Sequence, residues 1–172
     1  MLQRAVETFA SNLHLGPVPA LTQKDAPALR PVALLGLATA VPPYVVTQAE
    51  AKATARELFA GRKALFDRLQ GVFDNAGIEQ RHTVAPLDWY ARDHRWESRN
   101  ALYLKAAEAL FMEAAEKAIA AAGLSASDID GVVSVSTTGI ATPSLEARCG
   151  SRLGLRDDVR RVPVFGLGCA GG

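Results

Sequence analysis

Cys169 stands in Gly166-Leu167-Gly168-Cys169-Ala170-Gly171-Gly172, directly after a run of buried-strand type. Small residues on either side remove side-chain bulk, so a substrate carbonyl and neighbouring backbone N–H groups could approach the sulfur. Where such a turn enters a helix, the helix N-terminus favours the thiolate and brings the thiol pKa from about 8.5 toward ~3.5–7.5 in strong cases. The pattern therefore admits a covalent nucleophile. It equally admits a small buried cysteine packed in a glycine-rich strand exit, and spacing alone leaves both readings open.

The remaining reactive side chains are sparse. Cys149 has Leu145 and Leu153 four residues to either side, the spacing of a helix core face. His82 and His94 fall in an aromatic stretch upstream of Cys169 and His14 lies near the N-terminus, with no zinc-type ligand spacing. Trp89 and Trp96 are expected to anchor their stretch by burial. There is no phosphate-binding glycine motif of nucleotide-binding type and no basic patch interleaved with aromatics.

Composition narrows the class. The 172 residues carry 19 Lys+Arg against 18 Asp+Glu, a net charge of +1, which gives no electrostatic basis for nucleic-acid binding. An apolar content of 49% with 22% charged residues suits a packed globular domain. Two cysteines make no disulfide framework, so a reducing, cytoplasmic setting is expected. The longest apolar run, Pro31 to Pro43, is shorter than the ~20 residues a membrane helix needs, and the first ten residues show no signal-peptide pattern.

Residues 1–30 read as an irregular, proline-rich extension with a short helical stretch near Val6–Leu13, and residues 31–172 as the folded domain. Val32–Ala38 is an apolar run of buried-strand type. Thr47 opens a helix that Gly61 ends, with Thr47 and Glu50 in capping-box spacing, and Lys63–Asn75 follows as a second helix. Residues 78–97 read as an irregular loop with one short turn. Ser98–Ala122 is rich in strong helix formers, Val132–Thr137 is a β-branched strand, Pro143–Leu153 a helix with Pro in its first turn, and Val159–Phe165 a strand. This order argues an α/β layered fold with a partly parallel sheet.

From Val32 to Gly172 the sequence resembles the N-terminal half of bacterial type III polyketide synthases, the chalcone synthase-like enzymes of the thiolase superfamily. The segments that carry the resemblance are LGLATAVPPYVVTQ, GIEQRH, PLDWY, the long helix after Trp96 with Arg99-Asn100, AAGLSASDIDGVVSVSTTGIATPSLEAR and RVPVFGLGCAGG. STTGIATPSLEAR is most similar to the subgroup that makes alkylresorcinols and alkylpyrones from long acyl starters. The resemblance implies a thiolase-like αβαβα layered fold, of which this chain holds the N-terminal half.

It further implies an acyltransferase that condenses malonyl-CoA, with loss of carbon dioxide, onto an acyl-CoA starter held as a cysteine thioester. Coenzyme A thioesters are then substrates, no further cofactor is expected, and the family pattern is a homodimer. Cys169 falls on the family's nucleophile; the His and Asn that complete the site lie C-terminal to it in the family and are not placed within residues 1–172. Thr137 matches a residue lining the starter pocket, against the plain reading of a β-branched strand residue. Arg68 falls where the family has a basic contact to coenzyme A phosphates, against the plain reading of a solvated helix face. Gly71 and Asn75 occupy two positions that are basic in plant relatives. Thr142, where plant enzymes place a Met that crosses the dimer interface, reads as the N-cap of the Pro143 helix. Two alternatives stand beside this reading: a β-ketoacyl-carrier-protein synthase of the chain-initiating type, and a non-catalytic fragment, since the family pattern would be cut just past its nucleophile and residues 1–172 alone are expected to be inactive.

Overall fold

A computed structural model describes residues 32–171. The expected N-terminal extension, the helix near Val6–Leu13, His14 and Gly172 lie outside the described residues. The chain divides after Leu34; of the stretch before that division only Val32, Ala33 and Leu34 are described, and the described residues from Leu35 onward belong to one unit.

Two small sheets organise that unit. Strand β1 (Tyr44–Thr47) pairs antiparallel with β2 (Gln80–Thr83), Tyr44 opposite Thr83 and Thr47 opposite Gln80. Strand β3 (Gly131–Ser136) pairs in parallel with β4 (Arg160–Phe165), Gly131 beside Arg160 and Ser136 beside Phe165. Between the two antiparallel strands run α1 (Gln48–Leu58), a short 3-10 turn, α2 (Lys63–Leu69) and α3 (Gly71–Asn75). After β2 come the single turn α4 (Leu87–Tyr90) and the 26-residue helix α5 (Trp96–Ala121), and α6 (Leu145–Leu153) joins β3 to β4.

The start of α1 follows the sequence closely. The Glu50 backbone N–H donates to the Thr47 hydroxyl oxygen at 3.2 Å, and the Glu50 carboxylate accepts from the Thr47 backbone N–H at 2.8 Å, a complete capping box. These hydrogen bonds hold the Glu50 carboxyl below its usual range. The second helix is interrupted: Gln70 separates α2 from α3, and Phe66 is the buried residue of this pair.

Four expectations are corrected. Residues 32–38 form no strand, and Leu34 and Leu37 are exposed. A strand buried on both faces needs hydrogen-bonded neighbours, and among the described residues none pairs with this run. The strand lies later, at Tyr44–Thr47, and its partner β2 falls inside the stretch expected to be irregular. The last helix begins at Leu145, with Ser144 at its N-cap; Thr142 stands outside it and caps nothing. Trp96 is also exposed, whereas Trp89 is half-buried and stacks on His94 with ring centroids 3.9 Å apart.

Helices α5 and α6 cover one face of the β3–β4 sheet. Residues alternate along β3, so Val132, Ser134 and Ser136 turn toward the helices while Val133 and Val135 are exposed. The two helices are joined by Glu108, whose carboxylate accepts from Arg148 at 2.5 Å and from Arg152 at 3.1 Å. The hydrogen bond from Arg148 is the main cause of a lowered Glu108 pKa, and Arg152 adds to it. Cys149 lies fully buried beneath this network, as its helical spacing implied.

Candidate active site at the ends of the parallel strands

Strands β3 and β4 end side by side, and the carboxyl ends of parallel strands are where α/β folds present their ligands. The Gly166 backbone N–H donates to the Ser136 carbonyl at 3.2 Å, extending the pairing one step past the strand. The chain then turns through Gly166 at φ 85° and Gly168 at φ 56°, left-handed values that side-chain-bearing residues rarely adopt. Gly168–Gly171 closes as a 3-10 turn. An added Cβ at Gly171 would come 2.7 Å from a Val135 methyl, so the turn lies directly against β3. The two features together turn the chain back over the sheet and leave Cys169 exposed as a free thiol.

The contrast with Cys149 is sharp. Burial, and then the Glu108 carboxylate, push the Cys149 thiol above its usual pKa, which keeps it protonated and inert. Its sulfur faces the Glu108 carbonyl at 3.9 Å. Of the two cysteines only Cys169 is reachable by a large electrophile.

The segment leaving β3, residues 137–144, starts beside the Cys169 turn because Ser136 and Phe165 are register partners. It is tied down at several points. Asn100 Nδ2 donates to the Ile140 carbonyl at 3.0 Å, and the Ile140 N–H donates to Asn100 Oδ1 at 2.9 Å. One turn along α5, the Tyr103 hydroxyl is hydrogen-bonded to Ser136 Oγ at 2.5 Å, and its ring fills the place that a Cβ at Gly139 would take. At the far end Glu146, fully buried, accepts from Ser134 Oγ at 2.5 Å and from Ser144 Oγ at 2.6 Å. Burial raises the Glu146 pKa, but the hydrogen bonds from Ser134, Ser144 and its own backbone N–H, with help from Arg161, outweigh it and leave the group an anion. Ile140, Ala141, Leu145 and Phe165 line a mainly apolar recess of about 240 Å3 beside this segment.

Residues 22–172 match the family described as chalcone and stilbene synthases, N-terminal domain. The chain belongs to that family. It is 42% identical over 134 residues to the 1,3,6,8-tetrahydroxynaphthalene synthase of Streptomyces peucetius subsp. caesius, a match covering 78% of this chain and 36% of the relative. It is 30% identical over 153 residues to the alpha-pyrone synthesis polyketide synthase-like Pks18 of Mycobacterium tuberculosis, covering 84% of this chain and 38% of that one. Among solved structures, the 1,3,6,8-tetrahydroxynaphthalene synthase of Streptomyces coelicolor superposes with a TM-score of 0.69 at 28% identity, over 76% of this chain and 38% of that chain. PKS-I from the brown alga Ectocarpus siliculosus gives 0.68 at 28% identity, over 79% and 40%. The chain thus shares the α/β fold of solved type III polyketide synthases and spans well under half the length of the relatives it matches.

Within this chalcone and stilbene synthase domain, the residues singled out in the sequence do not all come together. Thr137 and Cys169 follow adjacent strand ends, and Thr137 is exposed. Arg68 is an exposed residue in the last turn of α2, without an ion pair among the described residues. His82 and His94 are engaged elsewhere: His82 Nδ1 faces the Pro42 carbonyl at 3.1 Å and His94 Nε2 the Trp89 carbonyl at 2.8 Å. Among the described residues no cluster of three His, Cys, Asp or Glu side chains could hold a metal. No described helix is long and apolar enough to cross a membrane.

Three residues of the domain escaped the sequence reading. Asn100 and Tyr103 share one face of α5 at i, i+3 spacing, a signal that becomes visible only once the helix is known to face the β3 exit. Glu146 sits on the same face of α6 as Cys149. A charge within an apolar stripe is the signal that could have flagged it.

Proposed function

We propose that Cys169 is the acyl-carrying nucleophile of a type III polyketide synthase-type acyltransferase, whose substrates are an acyl-CoA starter and malonyl-CoA. The observation that carries this reading is the exposed Cys169 thiol on a two-glycine turn at the carboxyl end of β4, beside the exit of β3, in a chain of the chalcone and stilbene synthase family.

The Cys169 thiolate attacks the thioester carbonyl of the starter, the acyl–sulfur bond to coenzyme A breaks, and the coenzyme A thiolate leaves. Malonyl-CoA then loses carbon dioxide, and its enolate carbon attacks the Cys169 thioester, expelling the Cys169 thiolate and lengthening the chain by two carbons. Thr137 borders the starter, and Arg68 meets the coenzyme A phosphates, a role suited to an exposed guanidinium with no partner of its own among the described residues. The same reading includes pairing with a second copy and a cytoplasmic setting, to which two free thiols are suited.

Loading and condensation make different demands. Loading needs a reachable thiolate. Condensation needs donors aimed at the developing oxyanion as well. The same reading expects residues 1–172 to load a starter without completing condensation. The assay is release of free coenzyme A from an acyl-CoA. The reading expects a burst of about one equivalent per chain, absent in Cys169→Ala, and no polyketide when malonyl-CoA is added. An undiminished burst from Cys169→Ala would overturn it.

A further inference from the structure

Helices α1, α2 and α3 carry an apolar recess that the acyl-transfer reading does not use. Phe59, Phe66 and Phe73 line it as a row, with successive ring centroids 6.5 Å and 6.4 Å apart. Leu65, Leu69 and Val72 complete the lining and stay 40%, 55% and 64% exposed. The recess measures about 220 Å3 and is lined by apolar side chains alone. Its two sides are tied together: Arg56 donates to Gln70 Oε1 at 3.2 Å, and Lys52 pairs with Asp74 at 2.8 Å.

Phe59 and Phe66 also wall a second recess, of about 330 Å3, which is lined further by Arg56, Lys63 and Asp67. The Arg56 guanidinium lies 5.7 Å from the Phe66 ring centroid. Neither Arg56 nor Lys63 has an ion pair among the described residues. Two cations against the Asp67 carboxylate leave this end with one surplus positive charge.

The two recesses select opposite chemistries. A peptide or sugar laid over the phenylalanine row would give up hydrogen bonds to water that no lining side chain replaces. A hydrocarbon chain loses nothing there and gains by leaving water. One surplus positive charge matches a monoanion, whereas coenzyme A brings several phosphate charges. We propose that the joined recesses bind a free fatty acid, its alkyl chain along the phenylalanine row and its carboxylate at Arg56 and Lys63. No lining residue belongs to β3, β4 or the Cys169 turn, so the site is independent of the acyl-transfer reading.

The test is calorimetric titration of the chain with octanoate, decanoate and dodecanoate, each below its micellar concentration. Affinity rises about fourfold per added methylene until the recess is full. Dodecanol, which has the chain without the charge, binds about threefold more weakly than dodecanoate, the scale of an exposed ion pair. Lys63→Ala weakens dodecanoate by about the same factor and leaves dodecanol unchanged. Leu69→Asp and Val72→Asp, both at exposed positions and each checked for fold by circular dichroism, put a carboxylate against the alkyl chain and lower affinity about tenfold. A chain alkylated at Cys169 binds dodecanoate as the parent does. No binding, equal affinity across the three acids, equal binding of dodecanol and dodecanoate, or parent affinity in a folded aspartate variant overturns the proposal. Loss of binding on Cys169 alkylation places the acid at the thiol and overturns it too. So does a dimer in sedimentation that Leu69→Asp abolishes and dodecanoate does not, which gives this face to a second copy.

Discussion

Ser136 and Phe165 are register partners at the ends of two parallel strands, and the Gly166 N–H reaches the Ser136 carbonyl at 3.2 Å. This relationship brings the start of the segment that leaves β3, at Thr137, next to the turn with Cys169, although the two lie some thirty positions apart in sequence. Strand pairing thus does for this site what sequence proximity does not.

The two cysteines should separate cleanly in a labelling experiment. Cys169 is exposed, while Cys149 is fully buried with its thiol pKa pushed up by burial and by Glu108. At pH near 8, iodoacetamide is expected to modify Cys169 first and to reach Cys149 only on unfolding. Peptide mass spectrometry checks this, and the reverse order would contradict the placement of both thiols.

The glycine turn is open to substitution. Gly168 adopts φ 56°, and placing a non-glycine residue there costs about 1–2 kcal/mol by steric conflict between Cβ and backbone. Gly168→Ala should therefore lower stability by about that amount and slow Cys169 alkylation, because the turn relaxes by moving its own sulfur-bearing residue. Denaturant unfolding and the alkylation rate read the two effects separately.

Glu146 is expected to make the domain acid-sensitive. Its folded-state pKa is lowered, so its contribution to stability is full at neutral pH. That contribution is lost as pH falls below the ordinary glutamate value of about 4.3 and through the lower folded-state value. Glu146→Gln removes the charge that both serine hydroxyls address, at a cost of about 1.5–3 kcal/mol at pH 7. The gap between variant and parent should narrow toward pH 3, measured by urea midpoints across the pH range.

Arg68 offers a test of substrate binding without a change in fold. It is exposed and unpaired among the described residues, so Arg68→Ala should leave stability within about 0.5 kcal/mol. If the guanidinium meets coenzyme A phosphates, acyl-CoA concentrations needed to load Cys169 rise several-fold. The same loading from an acyl-pantetheine thioester, which lacks those phosphates, stays at the parent level.

Much of this was legible in the chain. The capping box at Thr47 and Glu50, the long helix α5, the buried Cys149, and the parallel arrangement of β3 and β4 all follow from local patterns that tertiary contacts reinforce. The apolar run at residues 32–38 has the composition of a strand but not its pairing, because composition reports burial and not hydrogen-bond partners. β1 and β2 are not legible in the sequence because Tyr44–Thr47 and Gln80–Thr83 are short and lack clear alternation. At the site, the glycines around Cys169 announced the turn. The hold of Asn100 on Ile140 joins two segments that no periodicity connects.

The most direct test is to incubate the chain with a fatty acyl-CoA, digest it under conditions that keep thioesters, and map the acyl group by mass spectrometry. The predicted result is a single acyl adduct on the peptide carrying Cys169, absent in Cys169→Ala. An acyl group found only on Cys149, or none found on Cys169 while iodoacetamide still labels it, would contradict the assignment of Cys169 as the acyl-carrying residue.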